Sequence, residues 1–216
     1  MRCVILCGGK GERLAPITKN VKKAFLPLGE KQVIDHIIGR LPNGMSYSVS
    51  VNDNGAIASL EEVAKGDEPV MVVCGDNYFS SNLDSFVAAF NGETLIGVAE
   101  VKTIEIARQC GVVELHRGSM QVKSLAEKPE QPLTKLVSAG LYIFPPSVFT
   151  CIHNLAVVSP KGNIGNVISH IIATRPVYGF HLQGVWIDIG THECYEAAIR
   201  FENMRLMKAS RTGVKD

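Results

Sequence analysis

Residues 3–13 read Cys-Val-Ile-Leu-Cys-Gly-Gly-Lys-Gly-Glu-Arg, a continuous apolar run that leads directly into three glycines and an arginine. A strand that is apolar along its whole length is typical of a central position in a parallel sheet, where both faces are covered. Glycines after such a strand let backbone N–H groups approach a polyphosphate, and the planar fork of Arg13 can hold phosphate oxygens. The stretch therefore predicts an α/β fold with an anion-binding loop, residues 8–13, which we call the glycine loop.

The spacing of these glycines excludes two common phosphate-binding loops. Gly9 and Gly11 are not followed by a third glycine three residues later, so the dinucleotide-binding fingerprint is absent. A four-residue gap followed by Gly-Lys-Ser/Thr is also missing, which excludes a P-loop. On this stretch alone, a glycine-rich turn without a ligand stays an alternative.

Outward from the glycine loop, short apolar runs alternate with helical patterns, which indicates an α/β architecture. Further strands are predicted at 45–51, 70–74, 94–101, 112–115, 121–125, 138–144, 177–182 and 185–189, and helices at 33–41, 83–90, 164–172 and 191–208. We expect a Rossmann-like three-layer α/β/α sandwich with a mixed, mostly parallel central sheet. A single domain is expected over residues 1–208, followed by a flexible tail over 209–216.

Composition argues against several classes of protein. The 216 residues are 46% hydrophobic and 20% charged, with a net charge of +1, which is too balanced for bulk binding to nucleic acid or an anionic membrane. No apolar run reaches the length of a bilayer span, and the start lacks a signal-peptide cleavage site. The six cysteines form no Cys-x-x-Cys pair, which favours reduced thiols. We therefore expect a cytoplasmic protein with no nucleic-acid or membrane partner.

Two aspartates follow apolar runs that are far apart in the chain. Asp76 comes after Val72-Val73-Cys74-Gly75, and Asp188 lies within Val185-Trp186-Ile187-Asp188-Ile189-Gly190-Thr191. Ligands of open α/β sheets gather beyond the carboxyl ends of strands, and carboxylates at that place suit Mg²⁺. Either aspartate alone could be a helix cap or a turn residue. If the two converge, one must become protonated unless a cation lies between them.

The sequence around the glycine loop resembles the signature of the sugar nucleotidyltransferases, which include glucose-1-phosphate thymidylyl- and uridylyltransferases and mannose-1-phosphate guanylyltransferases. The family pattern is G-G-x-G-x-R-L-x-P-x-T, then a lysine four residues before a proline. It is matched here by Gly8, Gly9, Gly11, Arg13, Leu14, Pro16, Thr18, Lys23, Leu26 and Pro27. The resemblance implies that Leu6 and the glycine loop bind the nucleotide, with Arg13 and Lys23 as catalytic cations. It also implies that Asp76 and Asp188 share a Mg²⁺ ion, whereas Lys22 is expected to be a solvated basic residue.

Three further segments resemble the sugar-phosphate side of the same family: Glu127-Lys128-Pro129, Gly111-Val112-Val113-Glu114 and Val137-Ser138-Ala139-Gly140-Leu141-Tyr142. The residues that this resemblance assigns to the sugar phosphate are Gly111, Glu127, Lys128, Val137, Gly140 and Trp186. Trp186 is expected to close the pocket against the sugar ring. The alternatives are an exposed ion pair for Glu127 and Lys128, and core burial for Trp186.

The resemblance fails in one region, between Leu41 and Asp76, where the family usually has more chain. That region normally holds two strands, an intervening helix, and a base-reading Gln or Glu before a glycine turn. Here one strand is predicted, over 45–51. Two assignments stay open: Gly55 is the turn glycine that contacts the nucleotide and Asn52 reads the base, or 45–51 is the earlier strand and the base-reading part is lost.

The resemblance implies transfer of a nucleotidyl group from a nucleoside triphosphate (dTTP or UTP favoured) to a sugar 1-phosphate (glucose 1-phosphate favoured). The products would be a nucleoside diphosphate sugar and pyrophosphate, with Mg²⁺ as cofactor. The sugar phosphate itself attacks the α-phosphorus in line, so no protein nucleophile is needed. The alternatives are a catalytically weak, nucleotide-sugar-binding regulatory subunit of the same fold and a glycosyltransferase of related architecture. A homo-oligomer is compatible with each.

Overall fold

The computed structural model describes residues 1–51 and 53–212, with side chains through residue 208. The strands are β1 Arg2–Leu6, β2 Pro27–Leu28, β3 Lys31–Gln32, β4 Tyr47–Ser50, β5 Val70–Cys74, β6 Asn77–Phe79, β7 Thr94–Glu100, β8 Gly111–Leu115, β9 Val122–Glu127, β10 Leu136–Phe144, β11 Val177–His181 and β12 Trp186–Asp188. The helices are α1 Val33–Ile38, α2 Ala56–Val63, α3 Asp84–Ala88, α4 Ile104–Ala107, α5 Phe149–Val158, α6 Ile164–Ile172 and α7 His192–Thr212. Short 3₁₀ turns occupy Glu12–Leu14, Lys23–Phe25 and Pro146–Val148.

The central sheet has eight strands, and its main path runs β11-β7-β10-β5-β1-β4, with β8 and β9 attached beside β10. β1 is parallel to β4 and β5, and β7 is parallel to β11, whereas β10 is antiparallel to both β5 and β7. Five of the six strands on this path therefore run in one direction. The predicted mixed, mostly parallel sheet is confirmed.

Successive side chains of a strand point to opposite sides of the sheet, so an apolar strand gives the sheet two apolar faces. Helices cover both of these faces. Val4 and Val72 pack in one core cluster with residues of α2, α5 and α6. Their chain neighbours Ile5 and Val73 pack in a second cluster with residues of α1 and α3. The predicted three-layer α/β/α sandwich is confirmed. The strand β1, which is apolar from Cys3 to Leu6, and the fully apolar β5 are neighbouring inner strands of the sheet.

The carboxyl ends of β1, β4 and β5 lie side by side. Leu6, at the end of β1, is in register with Ser50 of β4 and with Cys74 of β5. The segments that leave these strands are the glycine loop, the segment that carries Asp53 and Gly55, and the Gly75-Asp76 turn. They consequently meet at one edge of the sheet, which is where open α/β sheets bind ligands.

Several predicted boundaries differ from the structure. Helices α2 and α5 are not predicted from the sequence, and α7 continues to Thr212, beyond its predicted end at residue 208. Residues 213–216 of the expected tail lie outside the described residues, as does Asn52 with its expected base-reading role. The strand predicted over 45–51 is present as β4, directly beside β1. Within the described part of the chain, no helix is both long and apolar enough to cross a membrane.

Candidate active site

A cavity of about 490 Å³ opens at the edge where β1, β4 and β5 end. The expected site residues that line it are Leu6, Gly8, Gly9, Arg13, Lys23, Gly55, Asp76, Gly111, Glu127, Lys128, Gly140, Trp186 and Asp188. Gly11 lines an adjoining recess of about 340 Å³, which is also bordered by Gly9, Arg13 and Lys23. The structure thus brings together residues as far apart in the chain as Leu6 and Asp188.

Val137 is placed differently from the other expected sugar-binding residues. Its side chain is fully buried, in a cluster with Val101, Ala107 and Val112. The next residue, Ser138, lines the cavity instead. Side chains alternate along β10, so only one of these neighbours can face the site.

The glycine loop has a backbone conformation that side chains rarely adopt. Gly9 and Gly11 have φ angles of 89° and 66°, in the left-handed region where glycine avoids the steric penalty of a Cβ atom. The hydroxyl of buried Thr18 donates a hydrogen bond to the Gly11 carbonyl at 2.8 Å. A Cβ atom at Gly11 would lie 3.0 Å from the Thr18 side chain, so the loop is tightly held from behind.

Arg13 is directed towards the cavity. Its Nη1 atom donates a hydrogen bond to Gln109 Oε1 at 3.4 Å, across the rim. Its Nη2 atom lies 3.1 Å from the point where a Cβ on Gly190 would be, and Asp188 Oδ1 lies 3.3 Å from the same point. The guanidinium group and the Asp188 carboxylate therefore flank Gly190 on the wall of one site.

The two aspartates converge because the short strands β6 and β12 pair with each other. Asp188 is opposite Asn77 in this antiparallel ribbon, and the Ile189 N–H donates a hydrogen bond to the Asp76 carbonyl at 2.8 Å. Burial, followed by the negative charge of Asp76, raises the pKa of Asp188 to about 6. The positive charges of Lys23, Arg13 and Lys128 act in the opposite direction. The carboxylate pair is therefore an electrostatically strained feature of the ligand-free protein.

The orientation of the Asp76 carboxylate is fixed from two sides. Lys23 Nζ donates a hydrogen bond to Asp76 Oδ2 at 2.7 Å. Asn77 Nδ2 donates to Asp76 Oδ1 at 3.3 Å, and the Asn77 Oδ1 atom in turn accepts a hydrogen bond from Trp186 Nε1 at 2.7 Å. Trp186 is half-buried and lines the cavity, so its indole both borders the site and anchors Asn77.

The chemistry of this donor set fits Mg²⁺. Two carboxylates converge, and the described residues contain no group of three or more His, Cys, Asp or Glu side chains that could hold a metal ion. Mg²⁺ is usually held by one or two carboxylates together with water and substrate phosphates, whereas a closed protein cage suits other ions. Asp76 and Asp188 are the side chains that would hold it.

The opposite wall of the cavity carries Glu127 and Lys128. The Glu127 Oε2 atom lies between two glycines: Cβ atoms on Gly111 and Gly165 would be 3.2 and 2.9 Å from it. Lys128 has a φ angle of 46°, an unfavourable conformation for a residue with a side chain, and its N–H donates to the Cys110 carbonyl. Its Nζ atom lies 3.7 Å from Glu127 Oε1. Glu127 and Lys128 therefore form an ion pair and also line the cavity.

Gly140 lies at an irregularity of β10. The pairing of β10 with β7 shifts register between Ser138 and Tyr142, and Gly140 has a φ angle of 65°. A Cβ atom there would lie 2.6 Å from Asn77 Nδ2. Such a bulge brings the strand backbone against the site, and only glycine permits the close approach.

Sequence reasoning missed several polar residues that line the cavity: Asp53, Ser59, Asn77, Gln109, Ser138 and Asn163. Asn77 could have been found, since it directly follows the Gly-Asp pair. Asn163 also carries a signal, because it caps α6 by accepting a hydrogen bond from the Asn166 N–H, and helix starts often face ligands. Lys22 was expected to be solvated, but it pairs with the Asp53 carboxylate.

The chain is similar in sequence to known nucleotidyl transferases. The sequence profile of the nucleotidyl transferase family matches residues 2–53 and 45–204, so that residues 45–53 are matched twice. The bifunctional protein GlmU of Methanocaldococcus jannaschii is 30% identical over 217 residues, which cover 88% of this chain and 51% of that protein. A low-salt glycan biosynthesis nucleotidyltransferase of Haloferax volcanii is 28% identical and covers 89% of this chain and 63% of its own length. The chain spans about half the length of the GlmU proteins of Methanocaldococcus jannaschii, Methanococcus maripaludis and Methanococcus vannielii that it matches.

Two solved structures share the fold. A protein assigned as a glucose-1-phosphate thymidylyltransferase of Bacillus anthracis superposes with a TM-score of 0.80 at 22% identity, covering 94% of this chain and 95% of that one. A UDP-glucose pyrophosphorylase superposes with a TM-score of 0.78 at 19% identity, covering 96% and 98%. The double match at 45–53 coincides with the region where the chain is shorter than the family pattern. With a glycine loop, paired aspartates and a profile match along almost its whole length, the chain belongs to the nucleotidyl transferase family.

Proposed function

We propose that this chain transfers a nucleotidyl group from a nucleoside triphosphate to a sugar 1-phosphate, releasing pyrophosphate and a nucleoside diphosphate sugar. One observation carries the proposal: the glycine loop, the Asp76–Asp188 pair and the Glu127–Lys128 pair line a single cavity. Its volume of about 490 Å³ lies within the usual range for small-molecule sites. In this proposal the glycine loop binds the triphosphate, the Glu127–Lys128 pair binds the sugar phosphate, and the two aspartates hold the ion between them.

The triphosphate side of the cavity is formed by the glycine loop and by two cations. Backbone N–H groups of residues 8–13 bind the phosphates, and Arg13 and Lys23 stabilise the charge that develops on the α-phosphate and the departing pyrophosphate. Lys23 neutralises Asp76 in the free protein, at 2.7 Å, and becomes available to phosphate oxygens when another cation takes over that role. Mg²⁺, when bound by Asp76 and Asp188, supplies further neutralisation of phosphate charge.

The sugar-phosphate side is formed by Glu127, Lys128 and Gly111. Glu127 accepts hydrogen bonds from sugar hydroxyls, and the Lys128 ammonium contacts the sugar's phosphate. A phosphate oxygen of this substrate attacks the α-phosphorus in line with the leaving pyrophosphate, so the protein mainly positions the two groups. Trp186, anchored through Asn77, borders the place of the sugar ring.

We further propose dTTP or UTP as the nucleotide and glucose 1-phosphate as the favoured acceptor. Support comes from the structural relatives, which include a glucose-1-phosphate thymidylyltransferase and a UDP-glucose pyrophosphorylase. The position of Gly55 at the start of α2, on the cavity wall, is consistent with contact to the nucleotide.

A matrix assay tests the proposal. Five nucleoside triphosphates are combined with several sugar 1-phosphates, with and without Mg²⁺, and pyrophosphate release is measured. We expect release for at least one pair, dependent on Mg²⁺ and abolished in Asp188→Asn, while a folded Asp67→Asn control retains it. Release at background for every pair, in protein that melts cooperatively, would contradict the proposal.

The shortened region between Leu41 and Asp76 supports one alternative function, that of a nucleotide-sugar-binding regulatory subunit. Residues 45–53 belong to both of the chain segments that match the family profile, as expected if this region is shortened. Calorimetric binding of a nucleoside diphosphate sugar without any pyrophosphate release would favour that alternative.

A further inference from the structure

Asp53 occupies an unexpected place in the site. It leaves the carboxyl end of β4, beside β1, and its side chain reaches the glycine loop. The Asp53 Oδ1 atom accepts a hydrogen bond from the Gly9 N–H at 3.2 Å, and the same atom contacts the Lys22 ammonium. A carboxylate of the protein itself thus accepts a hydrogen bond from one of the backbone donors of the glycine loop.

The surroundings of Asp53 are those of an anion-binding site. The hydrogen bond from Lys22 holds the pKa of Asp53 below its usual range, with smaller contributions from the charge of Lys22, the Gly9 N–H and the charge of Lys10. The carboxylate is therefore ionised at neutral pH. A backbone N–H in a glycine turn together with an ammonium group is the same donor set that binds a phosphate oxygen.

We propose that Asp53 holds a phosphate position of the glycine loop in the free protein, and that an incoming polyphosphate must displace it. This inference rests on the proposed role of the loop as the triphosphate site. Displacement frees two donors at once, the Gly9 N–H and the Lys22 ammonium. Asp53 is then a specificity-determining residue, because it lowers the affinity only of ligands whose phosphates occupy the Gly9 N–H and the Lys22 ammonium.

The expected effect follows from competition. If the loop accepts ligand only when Asp53 has left, the apparent dissociation constant is the intrinsic one divided by the fraction of open loops. Exposed ion pairs are weak, so we expect removal of the Asp53 charge to tighten polyphosphate binding by about 1.5- to fivefold. A ligand that does not reach the Gly9 N–H should gain nothing.

The test is calorimetric binding of inorganic pyrophosphate to the full chain. Asp53→Asn removes the charge and keeps the size of the side chain. Asp67→Asn is the matched control, since exposed Asp67 precedes β5 at the end of the sheet opposite the cavity. We expect tighter binding to Asp53→Asn and no change in Asp67→Asn. Unchanged or weaker binding to Asp53→Asn, or no binding to either wild type or variant, would overturn the inference.

Lys22→Gln distinguishes displacement from a general loss of negative charge. In the wild type Lys22 is held by Asp53, whereas in Asp53→Asn it is available to the ligand. Lys22→Gln should therefore weaken pyrophosphate binding several-fold more in the Asp53→Asn background than in the wild type. Equal effects in both backgrounds would refute displacement. Because pyrophosphate binding needs no turnover, a negative matrix assay would reject the proposed function and leave this test intact.

Discussion

The proximity of Asp76 to Asp188 leads us to expect that the Asp188 carboxylate, a proposed metal ligand, destabilises the protein when no cation is bound. In Asp188→Asn the side chain keeps its size and loses the charge that Asp76 opposes. Because burial and Asp76 raise the pKa of Asp188, the folded protein prefers the neutral form of this side chain. We therefore expect the variant to unfold at a higher temperature than the wild type at neutral pH, although it loses turnover.

The magnitude follows from the shift of the pKa of Asp188, from 3.8 to about 6. At about 1.4 kcal/mol per pH unit, the gain in unfolding free energy is at most roughly 3 kcal/mol above pH 6. Asp188 is only half-buried, so solvent partly screens its interaction with Asp76. We therefore expect a gain in unfolding free energy of about 1–3 kcal/mol. For a chain of this length, that corresponds to a rise in melting temperature of roughly 3–10 °C.

The pH dependence gives the sign an independent check. A group whose folded pKa is raised contributes stability below its unfolded pKa and loses it as the pH rises through the folded value. The gap between Asp188→Asn and wild type should thus be largest above pH 6 and shrink as the pH falls towards 4. Urea unfolding between pH 4.5 and 8, without divalent ions, measures this gap. Asp67→Asn, an exposed control, should stay within about 0.5 kcal/mol of wild type.

The order of stabilities should reverse when ligand is present. Mg²⁺ with nucleoside triphosphate stabilises a protein that binds it, and Asp188→Asn lacks one of the two carboxylates. Without ligand, two results would refute the view that Asp76 repels the charge of Asp188. Asp188→Asn could be no more stable than wild type at pH 8, or the difference in unfolding free energy between them could be independent of pH.

Three further predictions concern other walls of the cavity. Lys23→Ala should lower the rate of pyrophosphate release by about 10²–10³, with partial recovery in Lys23→Arg, because a cation at the reacting phosphates is lost; unchanged rates would reassign Lys23 to structure. Gly140→Ala should lower the unfolding free energy measured in urea by about 1–3 kcal/mol. Gly118→Ala should lose less, because Gly118 has a similar φ angle but open space around it. Equal losses in the two variants would exclude the contact with Asn77. Trp186 is the only tryptophan in the sequence, so saturating nucleoside diphosphate sugar should change the protein's tryptophan emission; calorimetric binding without such a change would place the ligand elsewhere.

The sequence predicts the buried parts of the fold well. The apolar run of β5 and the helical period of α6 are observed with the predicted bounds, Val70–Cys74 and Ile164–Ile172. Helix α5 was missed because it has no capping side chain at its start and ends in two exposed valines, which obscure its periodicity. Helix α2 follows Gly55, which provides no side-chain cap, so the sequence carries no signal for its start.

The candidate site is predictable where a short motif places the residue, and not where tertiary pairing does. Arg13 lies in the glycine loop that leaves β1, and Asp76 lies in the turn that leaves β5, so their motifs locate them. The place of Asp53 depends on β4 lying beside β1, and the place of Gly165 depends on α6 packing against β9. The backbone of Val137 has the predicted strand conformation, yet alternation along β10 turns its side chain into the core.

The central claim is that the glycine loop and the two aspartates surround one cation and one polyphosphate. Crystals grown with Mn²⁺ and a nucleoside triphosphate, measured at the manganese absorption edge, test it directly. We predict an anomalous peak in coordination contact with carboxylate oxygens of both Asp76 and Asp188, with the phosphates against residues 8–13. A peak bound to neither aspartate, or a triphosphate outside the glycine loop, would contradict the account.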